Sequence, residues 1–143
     1  MDSGPTLTSR EQTQTSSSRL SLLQSYNLGC SMLASGDAPG AFEVFSSLAS
    51  RGHPLSCHNL GLMYASGVPD LGVSPSEPMA IRYLSLAASR SFPESQYALA
   101  RLLRASGDSR AAADLYKLAA DQGHAGAAYE LGVIHASSDD GGG

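Results

Sequence analysis

The stretch AADQGHAGAAYELG, residues 119–132, sets three glycines and a histidine into what otherwise reads as strong helix. Looser versions of the phrase come earlier: SSLASRGHPLSCHNLG ends at Gly61, and LSLAASRSFPESQYALA ends at Ala100. A break that recurs in the same setting is punctuation, and a chain punctuated at intervals is built of repeats.

The register of the repeat follows from a leucine and a small residue. The pair stands at Leu28-Gly29, Leu60-Gly61, Leu99-Ala100 and Leu131-Gly132, spaced by 32, 39 and 32 residues. Two residues before each leucine is Tyr26, His58, Tyr97 or Tyr129, and four after it is Met32, Tyr64, Leu103 or His135. Positions so spaced belong to a helix, the first of each repeat, helix A. Helix B lies between. It opens at Ala41, Ala80 or Ala112 and reaches Phe45, Leu84 or Tyr116 four residues on. It closes with Leu48-Ala49, Ala87-Ala88 or Ala119-Ala120. An apolar i, i+4, i+7, i+8 series is a helix face made for burial.

The punctuation now has a reason. Gly52, Ser91 and Gly123 follow helix B at one position, and glycine there suits the left-handed residue past a helix end. Pro54 and Pro93 suit the first turn of the next helix A, while Pro39 and Pro78 suit the start of helix B. Asp37, Ser76 and Asp108 stand where N-caps of helix B are needed. Glycine inside a helix costs roughly 1 kcal/mol against alanine. The glycines after the leucines therefore predict close approach of helix B. The longer middle spacing is taken up by SGVPDLGVSPSEP, residues 66–78, whose prolines and glycines predict a structured turn.

Composition narrows the function classes. The 143 residues suit one domain, and with no Trp and three Phe the core must be small-residue and close-packed. A net charge of −4 argues against a nucleic-acid or anionic-membrane surface. No run of about 18 apolar residues exists, so no membrane insertion is expected. The opening MDSGPTLTSREQTQTSSSR lacks a secretory apolar segment, which predicts a cytoplasmic protein with two reduced thiols, Cys30 and Cys57. Residues 1–18 and 138–143 are too polar to pack and are expected to be disordered tails.

His53 and His124 recur at one joint, which favours packing or a backbone hydrogen bond over metal ligation. His58 has no second ligand at i+3 or i+4, and His135 sits at a core register. No Gly-x-Ser-x-Gly elbow or glycine-rich phosphate loop occurs, and Glu94, Asp121 and Glu130 are scattered. No catalytic residue, metal, cofactor or small-molecule substrate is expected.

SCHNLGLMYASGVPDLGVSPSEPMAIRYLSLAASRSFP, residues 56–93, resembles one entire repeat of the Sel-1-like family, longer relatives of the tetratricopeptide repeats. So does YALARLLRASGDSRAAADLYKLAADQGHAGAAYELG, residues 97–132, with its LAADQGHA joint and AAYELG restart. The likeness covers about residues 24–137. It implies an all-α fold: a right-handed α-solenoid of stacked antiparallel helix pairs, about three and a half repeats over residues 19–137. The first repeat is degenerate, and the last holds helix A alone, as in a capped stack or a fragment of a longer array.

In such repeats helix A lines the concave surface. The resemblance therefore implies a partner groove on Tyr26, His58, Leu62, Tyr97, Arg101, Arg104 and Tyr129, with Cys30, Leu33, Ala65, Leu102 and Val133 beside them. Aromatic rings and arginines would suit a protein or peptide with apolar anchors and an acidic residue. The tyrosines equally suit packing between repeats. The function implied is a noncatalytic interaction adaptor. The alternatives are a regulatory arm of a larger enzyme, a subunit of a quality-control complex and, least favoured, a β-lactamase-like hydrolase. Members of that last kind carry a disulfide in each repeat, a pattern two cysteines do not reproduce.

Overall fold

The computed structural model describes the backbone of residues 9–141 and the side chains of residues 21–138. Seven helices follow one another: α1 Ser9–Ala34, α2 Ala38–Ser50, α3 Pro54–Ser66, α4 Glu77–Ala88, α5 Pro93–Ala105, α6 Ser109–Asp121 and α7 Ala125–Gly141. Helices α1, α3, α5 and α7 are the A helices; α2, α4 and α6 are the B helices. The backbone is helical from Ser9, inside the stretch expected as a tail; the rest of that tail, residues 1–8, lies outside the described residues. At the other end α7 stays helical to Gly141, and residues 142–143 lie outside the description.

Each helix packs on the one before and the one after it, the signature of a stack. The faces that pack are those the periodicity marks. On α2 the buried residues are Ala41, Phe45, Leu48 and Ala49; on α4 they are Ala80, Leu84, Ala87 and Ala88. On α6 Ala112, Tyr116 and Ala119 are buried. Fully covering a Phe45 or Leu84 side chain contributes about 1.5–3 kcal/mol each.

The helix ends are built as the turn residues require. Asp37 accepts from the Gly40 amide, Ser76 from that of Met79 and Asp108 from that of Ala111, so all three B helices have side-chain caps. Past their ends the chain turns on Gly52, Ser91 and Gly123, with φ of +79°, +65° and +94°. Serine in this left-handed conformation costs roughly 1–2 kcal/mol that glycine avoids. The insertion after α3 is ordered. Val68 and Val73 form an isolated bridge around a 3-10 turn at Pro69–Leu71, and Val68 is buried. The Ser76 amide donates to the Tyr64 carbonyl at 2.7 Å, which ties the insertion back to α3.

The small residues admit neighbours at the distances expected. A Cβ on Gly29 would lie 2.8 Å from Phe45 Cε1, and one on Gly61 would lie 2.7 Å from Leu84 Cγ. Ala100 is buried in the same register. Gly132, the fourth of the series, has nothing within 4 Å.

Candidate functional site

Side-chain bonds tie each A helix directly to the next. Asn59 on α3 donates to the Tyr26 hydroxyl at 3.4 Å. His58 and the buried Ser95 hydroxyl on α5 share a hydrogen bond of 2.8 Å. Arg104 on α5 forms an ion pair with Glu130 on α7.

Between α3 and α5 lies a cleft of about 320 Å³, lined by Leu62, Ala65, Leu84, Ala98, Leu102 and Ala105, with Arg101 at its rim. A second depression of about 390 Å³ runs on between α5 and α7, where Arg101 and Ala105 meet Arg104, Tyr116 and Glu130. The first is apolar and the second charged. Arg101 borders both.

The two arginines differ in what is left to bind. Arg104 is half-buried, occupied by Glu130, and beside the buried Tyr116 hydroxyl. Burial, with the Glu130 charge second, pushes that phenol above its ordinary pKa. Arg101 is exposed and has no carboxylate partner among the described residues; its guanidinium lies 5.8 Å from the Tyr97 ring centre. A planar guanidinium so placed can take a carboxylate with two hydrogen bonds.

The tyrosines of the expected groove differ in their surroundings. Tyr26 is half-buried, 5.1 Å from the His53 ring and 5.9 Å from that of Phe45. Tyr97 is stacked 4.5 Å from His124 and tilted 5.8 Å from Tyr116. Burial is also the main cause lifting the Tyr26 phenol above its ordinary pKa. Tyr26 and Tyr97 thus pack against the next joint, and His58 is engaged with Ser95. Leu62 and Arg101 line the cleft. Tyr129 is open, at 71% exposure. Ala98 and Ala105 were not singled out from sequence; with Leu102 they fall at i, i+4 and i+7, a second small apolar face on α5.

The joint histidines are helix caps. His53 Nδ1 accepts from the Ser56 amide at 3.3 Å, and His124 Nδ1 accepts from the Ala127 amide at 3.0 Å. His124 Nε2 faces Glu94 at 3.2 Å, leaving neither nitrogen for a metal. Burial holds His53 below the usual histidine pKa; it does the same at His58, against a smaller upward pull from Glu94. Among the described residues no three His, Cys, Asp or Glu side chains gather as a metal site, and no helix is long and apolar enough to cross a membrane. Cys30 and Cys57 are free thiols.

Stacked helix pairs with capped joints and close glycine contacts define a helical-repeat protein. Residues 54–92 and 93–124 each match the Sel1 repeat, and the chain belongs to the Sel1 repeat family. No curated protein matches the sequence at a significant level. Among solved structures, a protective antigen of uropathogenic Escherichia coli with an SLR fold is similar at a TM-score of 0.69 and 23% identity. The match covers 78% of this chain but only 25% of that longer one. A Sel1 repeat protein from Oxalobacter formigenes is similar over 85% of this chain and 97% of its own, with TM-score 0.64 and 26% identity. The Yersinia enterocolitica type III secretion chaperone SycD, solved in complex with a peptide of the translocator YopD, matches in fold. Its TM-score is 0.65 at 20% identity, over 82% of this chain and 95% of that one.

Proposed function

We propose that this chain is a noncatalytic scaffold that holds a protein or peptide partner along the surface of its A helices. The observation that carries the reading is the apolar cleft between α3 and α5 with an unneutralised arginine at its rim. A bulky apolar side chain would enter between Leu62 and Leu102, and a neighbouring carboxylate would meet Arg101. Desolvated apolar anchors and arginine supply most of the energy at such contacts. Arg104 serves by fixing Glu130 and α7, and Tyr26, His58 and Tyr97 serve by holding the repeats in register. SycD, alike in fold, was solved with a peptide, and the same class of occupant is proposed here.

Selection of a displayed random-peptide library on the intact protein tests this. The expected binders carry a large apolar residue close to Asp or Glu. Arg101→Glu and, separately, Leu62→Asp should weaken them by about tenfold or more, with the melting temperature of the Arg101 variant unchanged. Binders without charge preference that survive both substitutions would contradict the reading.

A further inference from the structure

We propose that Glu130 sets the charge of the partner group that Arg101 receives, so that the charged depression takes a single carboxylate in preference to a phosphorylated side chain. The inference rests on the reading that the A helices hold a peptide, and it names the chemistry of that peptide's second contact.

The internal repeat shows how the depression arises. Leu62, Ala65, Leu84 and Ala98 line the apolar cleft, and the same registers one repeat on are Arg101, Arg104, Tyr116 and Glu130. One place in the fold is thus apolar in one repeat and charged in the next. The apolar cleft stays open although α6 and α7 follow it, so continuing the stack does not cover this register.

The charges in the depression can be counted. Arg101 and Arg104 bring two positive charges, and Glu130, paired with Arg104, removes one. The buried Tyr116 phenol, held above its ordinary pKa chiefly by burial, adds none. One positive charge is left over, on Arg101, which has no carboxylate partner among the described residues. A partner carboxylate neutralises it through two hydrogen bonds to the guanidinium. A phosphorylated side chain carries about −1.5 to −2 at neutral pH and would leave uncompensated negative charge beside Glu130. The Arg104–Glu130 pair is half-buried, where charges are screened less than at an open surface.

An array of synthetic peptides tests this, each with one Leu or Phe set close to either Glu or phosphoserine. The intact protein should bind the best Glu member about fivefold or more tighter than its phosphoserine twin. Glu130→Gln, which keeps an acceptor for Arg104, should improve the phosphoserine twin by about tenfold or more and reverse the order. Adding Arg104→Gln restores a single positive charge and should bring the Glu preference back, which separates charge from any loosening of α7. Thermal melts check that both variants are folded. The same Glu preference in every variant, or phosphoserine favoured by the unaltered chain, overturns the proposal and leaves the peptide reading standing. No binding by any peptide overturns both.

Discussion

Gly61 and Gly132 hold the same place in the repeat and live in opposite surroundings. On α3 the missing Cβ lets Leu84 of α4 come within contact, side chain and backbone amide alike; on α7 the same absence opens onto empty space. The leucines beside the glycines show the converse at the other end of the stack. Leu60 is fully buried, whereas Leu28, in equivalent register, is 52% exposed. One helix side faces the preceding repeat and the other faces its own B helix. A residue's worth in this fold is therefore set by what packs on its side of the helix.

The largest effect should come from the leucines. Leu60→Ala should cost about 2–5 kcal/mol, as a cavity in a packed core does; Leu28→Ala should cost less than about 1 kcal/mol. Urea midpoints at constant m-value measure both, and equal losses would break the comparison. The glycines should differ in sign. Gly61→Ala forces a methyl into Leu84 and should destabilise by about 1–3 kcal/mol. Gly132→Ala should stabilise by about 1 kcal/mol, from helix propensity alone. Thermal melts of the two variants settle it.

A smaller effect concerns acid. His53 and His58 have folded pKa values below the ordinary one because burial disfavours the charged ring. Below about pH 6.5 the unfolded chain then binds more protons than the folded one. Stability is full above that pH and falls as pH drops through the lowered folded values. The urea midpoint should decline from about pH 7 to about pH 5. His53→Asn, which keeps a capping acceptor, should flatten part of the slope; an unchanged slope would remove His53 from it.

Much of the fold was legible in the sequence because burial by neighbours leaves a period. The Ala, Phe and Leu series of helix B, the caps at Asp37, Ser76 and Asp108, and the turns at Gly52 and Gly123 each follow from local chemistry. The site was less legible, for an angular reason. Residues two before and two after the anchor leucine, Tyr97 and Arg101 on α5, lie only about 40° apart around a helix of 3.6 residues per turn. That small angle separates the joint, where Tyr97 packs, from the cleft that Arg101 lines. Tyr97 finds its joint partner in His124, whose ring stacks on it from 27 positions further along the chain. Arg104 posed a similar problem: its partner Glu130 lies 26 residues away, on the next A helix.

Native-state hydrogen exchange, read amide by amide, puts the dependence on neighbours to its most direct test. Stacking predicts the slowest exchange in α3, α4 and α5, at the middle of the stack, with the second half of α7 opening first. Equal protection in every helix, or slowest exchange in α7, would contradict it.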